Sequence, residues 1–291
     1  MPTQLRAHGN KPTAALASKG RQYTAPPEAK IGVVRCGRRM FNVSKRWKGK
    51  TCVYCTVEGS STTADHVIAR GFFPVDKRDN LPQVPACDSC NVRKSNLEHY
   101  LSAVLPFGST HADACDFMDK LVAPRLRNNQ KLARELSAGI DKTYAFINGR
   151  VLQTAMTIPI DSEKVLDLYK LIAQGLAYTH WNVLMPASDV VSLAEFLIPE
   201  GAGYMEAMLN TSKVISTGPV TLGDGVFTYQ GVRDPVHQTL TVWRMSMYSV
   251  ITEAEANGQS IMVSNAYLMT APRGLKAATD LIEAWSRPVA A

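Results

Sequence analysis

Residues 52–55 read CVYC and residues 87–90 read CDSC, so two Cys-x-x-Cys pairs enclose a segment of 31 residues. Two such pairs can place four thiolates around one tetrahedral Zn²⁺ ion, because each pair wraps one side of the ion in a tight turn. The enclosed segment is longer than the spacer of a compact zinc ribbon, which predicts an inserted structural element. Four thiolates would close the coordination shell, so the pattern indicates a structural zinc and does not by itself indicate an enzyme. The predicted zinc ligands are Cys52, Cys55, Cys87 and Cys90.

The alternative is that these four are buried or redox-active thiols whose pairing is a coincidence. Two x-x spacings within 40 residues of chain make that interpretation the weaker one. The remaining cysteines, Cys36 and Cys115, have no such spacing and are interpreted as small buried residues.

Residues that suit metal-assisted hydrolysis lie inside this cysteine frame. Asp65-His66 and Asn80 occur between the pairs, and Asn91 follows the second pair directly. Asp65 and the amide oxygen of Asn91 are the oxygen ligands that Mg²⁺ prefers, and His66 could take a proton from an attacking water. Since neighbouring residues on a regular strand point to opposite faces, Asp65 and His66 can act together only from a strand end or a distorted backbone. Taken singly, an Asp-His pair is usually a surface dipeptide and Asn80 a turn residue.

The order Cys-x-x-Cys, Asp-His, Asn-Leu, Cys-x-x-Cys-Asn-x-x-Lys resembles the zinc-stapled HNH endonucleases of bacteria and phages, over roughly residues 50–100. The resemblance implies a ββα-metal unit, in which two strands and a helix surround one catalytic Mg²⁺ or Mn²⁺ ion. His66 would be the general base, Asp65 and Asn91 the metal ligands, and Asn80 the residue that braces the loop and the base. The family commonly has His where Asn91 stands, and Asn there is a familiar variant. The implied products carry 5′-phosphate and 3′-hydroxyl ends.

Three basic residues near the motif are predicted to contact the substrate. Lys94 lies three residues after Asn91 and therefore on the same face of the predicted helix. Arg70 and Arg93 complete the set of expected phosphate contacts. Each of the three alone would be interpreted as a solvated charge.

Positive charge is concentrated at the start of the chain. Residues 1–50 contain 12 Lys and Arg and one acidic residue, whereas the other 241 residues contain 20 basic and 24 acidic ones. A basic arm suits a polyanionic partner, because neutralising phosphates releases counterions from nucleic acid. A solvated tail without a partner is the alternative.

The predicted architecture is α+β and has three parts. A flexible basic arm (1–30) precedes an HNH nuclease domain with its four-cysteine zinc site (31–107), and a second α+β domain of unknown role follows (108–291). The predicted elements are a helix from Asn91, helical residues 112–138 broken at Pro124, a hairpin at Asn148-Gly149, a helix capped by Asp161 or Ser162, a helix at 189–198, strands within 218–251 and a helix at 274–285.

The sequence leaves two alternatives to a DNA endonuclease open. One is a zinc-stabilised DNA-binding module without catalysis, and the other is a nuclease that acts on RNA. DNA is favoured over RNA because the stacking-aromatic pattern of common RNA-binding modules is not visible. A single site per chain implies that cutting both strands needs two chains, as in a homodimer, or two events. With no run of about 18 apolar residues and no secretory signal, the expected location is cytoplasmic, in a bacterium or a phage-infected cell, without a membrane partner.

Overall fold

The computed structural model describes residues 46–285, apart from 110, 148–149, 159, 198, 250–251, 257–258 and 264. These residues belong to one compact unit, 42–291. The predicted arm (1–30), Cys36 and the turn residues Asn148 and Gly149 lie outside the described residues. In the part of the chain that is described, no helix is both long and apolar enough to cross a membrane.

The described chain mixes helices with antiparallel strands, which confirms the α+β class. The α-helices are α1 (Asp88–Val104), α2 (Ala114–Phe117), α3 (Ala123–Asn128), α4 (Gln130–Ala138), α5 (Ser162–Trp181), α6 (Pro199–Leu209) and α7 (Lys276–Trp285). The strands are β1 (Thr63–His66), β2 (Gln83–Ala86), β3 (Asp141–Ile147), β4 (Arg150–Thr157), β5 (Val190–Glu195), β6 (Ile215–Ser216), β7 (Val220–Leu222), β8 (Phe227–Arg233), β9 (Thr241–Met247), β10 (Thr252–Ala256), β11 (Gln259–Val263) and β12 (Ala266–Pro272). A π-helical turn (Met118–Val122) joins α2 to α3.

The largest sheet has the order β5-β12-β9-β8-β6, with β7 also paired to β8. Side chains alternate between its faces, so Trp243 and Leu268 pack in one core cluster, and Val242 and Met269 in another. The first cluster includes α5, and the second includes α6 and α7. Because helices cover both faces, β9 and β12 are buried along nearly their whole length.

The cysteine-rich segment lies against the same core. β1 and β2 form an antiparallel pair, in which Asp65 is opposite Val84 and His66 is opposite Gln83, and α1 follows directly. Val67, just after β1, belongs to the cluster that contains α5 and Trp243. Residues on both sides of the predicted boundary at 107 therefore share one hydrophobic core.

Helix α5 packs unusually close to the end of β1. A Cβ atom at Gly175 would lie 2.7 Å from Cγ1 of Val67, so only glycine allows this approach. Asp161 caps the helix by accepting a hydrogen bond from the backbone N–H of Lys164, as predicted, and Asn182 ends it in the left-handed conformation. The end of α5 is thus held beside the strand that carries His66.

Two sequence predictions about helices are wrong. Residues 189–198 were expected to be helical, but Val190–Glu195 is a strand that pairs with β12, where its β-branched residues fit the sheet. Pro124 does not break the helical segment 112–138, because the chain passes from the π-helical turn (Met118–Val122) straight into α3, with Pro124 in the first turn of α3. The break is at Asn129, whose side chain caps α4.

Candidate functional site

The four paired cysteines come together in one cluster. Their sulfur atoms all lie within 4.8 Å of one another, and Cys55 Sγ is 3.7 Å from Cys87 Sγ. A tetrahedral site with Zn–S bonds of about 2.3 Å requires sulfur atoms about 3.8 Å apart. The spacing and the donor type therefore fit a metal ion such as zinc. It is the only group of three or more Cys, His, Asp or Glu side chains within ligand range among the described residues.

Local backbone geometry brings the two cysteine pairs together. The N–H of Thr56 donates to the carbonyl of Cys52 (2.8 Å), which closes the first turn, and Cys87 caps the N-terminus of α1. The N–H of Val53 donates to the carbonyl of Pro85 (3.0 Å), which fastens the first pair to β2. Burial raises the pKa of Cys52 and Cys90, whereas at Cys87 hydrogen bonds from Ser89 and the backbone outweigh burial and lower the pKa to about 6. A thiol that ionises readily suits a metal ligand.

Asp65 lies inside the protein, facing α1. Its Oδ2 atom accepts a hydrogen bond from the hydroxyl of Tyr54 (2.5 Å) and lies 3.0 Å from Nζ of Lys94. Burial, with the neighbouring carboxylate, raises the pKa of the Tyr54 hydroxyl well above its usual value, so this hydroxyl remains a donor. The carboxylate is thus held in a fixed orientation by a tyrosine from the first cysteine turn and a lysine from the helix.

Lys94 is the centre of a buried ionic cluster. Its side chain is 0% exposed, and its ammonium pairs with Asp65 and Glu98 and donates to the carbonyl of His66 (2.7 Å). The sequence predicts Lys94 to be a phosphate contact, but in this arrangement the ammonium does not reach the surface. It instead neutralises two carboxylates and fixes the backbone at the end of β1.

His66 is the last residue of β1, and its ring is half-buried on the opposite face from Asp65. Its Nε2 lies 2.9 Å from the amide nitrogen of Gln83. An amide nitrogen can only donate, so the imidazole accepts this bond and is neutral. Burial lowers the pKa of His66, and the positive charge of Arg70 lowers it further. The ring is therefore held in the form that can accept a proton.

The other predicted site residues lie on turns and on the exposed side of α1. Asn80 is exposed, with a φ angle of 57° in the turn before β2, a conformation that asparagine adopts more readily than most residues. Asn91 lies in the first turn of α1, partly buried, and its N–H donates to the carbonyl of Cys87. Arg70 and Arg93 are exposed.

Sequence reasoning missed three residues of the site: Tyr54, Gln83 and Glu98. Tyr54 lies within the first cysteine pair, where the spacing drew attention to the cysteines alone. Gln83 reaches His66 only through the pairing of β1 with β2. Glu98 is four residues after Lys94, and its side chain is 12% exposed. That spacing was the one available signal.

Comparisons with known proteins find no match. No protein family, curated protein or solved structure matches the chain.

Proposed function

We propose that this chain is a metal-dependent endonuclease that hydrolyses phosphodiester bonds in nucleic acid, with DNA as the favoured substrate. The observation that carries the proposal is the end of β1. His66 is the last residue of the strand, with a neutral imidazole, and it directly follows a buried carboxylate that faces the helix bearing Asn91. His66 lies at the strand end, the position from which the sequence argument allowed it to act with Asp65, but its ring and the Asp65 carboxylate lie on opposite faces of β1, so a shared site requires the backbone to turn at this end.

Each residue then has a distinct role. The cysteine cluster would hold a structural Zn²⁺ that fastens the first turn to the start of α1. Asp65 and Asn91 would hold a Mg²⁺ or Mn²⁺ ion, which supplies charge stabilisation at the scissile phosphate. Since Tyr54 and Lys94 both contact Oδ2 of Asp65, the ion would bind through Oδ1 or displace the lysine.

His66 would accept the proton of the attacking water. For this its Nε2 lone pair must be released by the amide of Gln83, which is a side chain at the surface end of β2 and partly exposed. The low pKa of His66, caused by burial and then by Arg70, keeps the imidazole neutral at physiological pH. Asn80 would hold the turn before β2 and thereby the position of Gln83.

Cleavage of a supercoiled plasmid tests this proposal. Purified protein should nick or linearise the plasmid with Mg²⁺ or Mn²⁺ and leave it intact in EDTA. His66→Ala should lower the rate by about 10²- to 10⁴-fold, the usual contribution of a general base, while zinc content and DNA binding stay unchanged. His99→Ala makes the same substitution at an exposed position of α1 and should cleave like wild type. If His66→Ala and His99→Ala cleave equally, the assigned base is refuted.

One observation favours a second candidate, a zinc-stabilised DNA-binding module without catalysis. Asp65 and His66 both have hydrogen-bond partners within the protein, as purely structural residues would. This candidate predicts a DNA complex on a gel, with zinc bound and with no nicking under any divalent metal. Loss of DNA binding in His66→Ala would also favour it, since a purely catalytic residue leaves binding intact.

A further inference from the structure

A groove of about 880 Å³ is lined in part by Gln83, the hydrogen-bond partner of His66. It contains three aromatic rings and two guanidinium groups, and none of its lining residues is a carboxylate. The lining residues that could hold a ligand are Arg46, Trp47, Gln83, Tyr178, Trp181 and Arg233. Its size is comparable to that of a ligand site, for which about 300–1,000 Å³ is usual.

Four separate parts of the fold build this groove. Residues 46–47 precede the first cysteine pair, Gln83 begins β2, residues 178–182 end α5, and Arg233 ends β8. Gln83 also contacts His66, so the groove and the candidate active site share a wall. The close packing at Gly175 fixes the end of α5 in this position.

Cations lie directly against the aromatic rings. The Arg46 guanidinium is 4.6 Å and the Lys50 ammonium 4.9 Å from the centre of the Trp47 ring, and the Arg233 guanidinium is 6.0 Å from that of Trp181. Arg46 and Lys50 are exposed, and cation–π contacts at exposed sites are weak, so a ligand can replace those on Trp47 while the charges stay nearby. The groove thus offers flat apolar surfaces beside positive charge.

The end of α5 adds a directional preference. The C-terminus of a helix carries partial negative charge, which disfavours phosphate near residues 178–182. Bases, which have π-faces and no net charge, are favoured there. Phosphates are favoured at Arg46 and Arg233.

We infer that this groove binds an unstacked stretch of single-stranded nucleic acid, with bases on Trp47, Tyr178 and Trp181 and phosphates on Arg46 and Arg233. Base faces are hidden inside a duplex, so stacking on these rings requires a single strand or a melted segment. The binding is a property of the groove itself. Its consequence, delivery of a single strand to His66, rests on the proposed nuclease function.

Fluorescence anisotropy of labelled oligonucleotides tests the inference on the full chain without added Mg²⁺, so that binding is measured apart from cleavage. The probes are single-stranded DNA and RNA of about 12 nucleotides and the DNA duplex of the same sequence. Trp47→Ala removes a stacking ring that lies outside the hydrophobic core clusters, and Thr179→Glu places a negative charge on an exposed lining residue. Thr211→Glu makes the same exchange at an exposed residue outside the groove.

We expect Trp47→Ala to weaken single-strand binding by about 5- to 150-fold, the range found for loss of one stacking residue. Thr179→Glu should weaken it by about tenfold or more, because its negative charge offsets the positive potential of Arg46 and Arg233 that attracts the phosphates. Thr211→Glu should bind like wild type, and duplex binding should be unchanged in all three variants. Comparing the DNA and RNA single strands then shows which of them the groove prefers.

Three results would overturn the inference. The first is that wild type does not bind the single strand. The second is that the two groove variants bind it as tightly as Thr211→Glu does. The third is that the groove variants lose duplex binding and single-strand binding equally. A plasmid that stays intact with Mg²⁺, together with the expected anisotropy losses, would refute the nuclease and leave the groove assignment standing. Cleavage without any single-strand binding would refute the groove assignment and leave the nuclease proposal standing.

Discussion

Replacing Lys94 with methionine is the sharpest test of how the site is held together. Methionine retains the length and apolar character of the lysine stem but removes an ammonium that is 0% exposed. Asp65 and Glu98, whose side chains are 9% and 12% exposed, would then face each other without a cation. The carbonyl of His66 would also lose its donor.

The expected cost follows from these contacts. Breaking a buried ion pair by removing one partner costs about 3–5 kcal/mol, because an uncompensated charge stays buried. Glu98 can take up a proton, since burial raises its pKa to about 7, so Asp65 is the main uncompensated charge. Loss of the hydrogen bond to His66 adds about 1 kcal/mol. We therefore expect Lys94→Met to lower the free energy of unfolding by about 4 kcal/mol.

Urea unfolding followed by circular dichroism, with zinc in excess, measures this change. Lys120→Met is the matched control, because Lys120 also pairs with a carboxylate four residues away, at a side-chain exposure of 69%. Its unfolding midpoint should match that of wild type. Equal midpoints for Lys94→Met and Lys120→Met would refute the buried ionic cluster.

Three further predictions concern the same region. Between pH 4.5 and about 7 the folded chain keeps the Glu98 proton that the unfolded chain releases, so the free energy of unfolding should fall by up to about 3 kcal/mol as pH rises through this range. Urea unfolding at pH 5 and pH 8 should show this fall in wild type but not in Glu98→Gln. Cys87→Ser should lower the zinc content measured by atomic emission. Cys115→Ser should not lower it, because Cys115 lacks the spacing of a predicted ligand. Equal zinc content in the two variants would contradict the four-cysteine site. Asn80→Ala should lower the free energy of unfolding by about 1 kcal/mol, because alanine is strained at the positive φ angle of this position. Asn80→Gly should change it very little. Equal unfolding midpoints for the two variants would exclude a strained turn.

The features that sequence predicted best are those with local signals. The spacing of the cysteine pairs predicted a cluster that could bind metal, and the cluster is present. The hairpin expected around residues 148–149 is confirmed by the pairing of β3 with β4. The helix predicted after Asp161 is present as α5, and it buries one apolar face that includes Ile172 and Leu176.

The partners of charged residues could not be predicted in this way. The spacing of Lys94 and Asn91 indicates a shared helix face but not whether that face meets solvent or a strand. Only the packing of α1 against β1 buries Lys94 and turns an expected phosphate contact into an internal ion pair. The resemblance to HNH nucleases stays a prediction, as do the roles of Asp65 and His66.

The groove shows why the function of residues 108–291 could not be inferred from the sequence. Trp47, Trp181 and Arg233 are separated by more than 50 residues along the chain, so they form no motif. The preference for DNA over RNA was argued from the lack of a visible stacking-aromatic pattern. The structure nevertheless brings three aromatic residues into one groove through tertiary packing.

Plasmid cleavage by the wild-type protein tests the central claim most directly. The account predicts that supercoiled plasmid is nicked or linearised with Mg²⁺ or Mn²⁺, and that His66→Ala with its zinc retained is slower by about 10²- to 10⁴-fold. Plasmid that stays supercoiled with every divalent metal, while the protein holds zinc and shifts DNA on a gel, would contradict it.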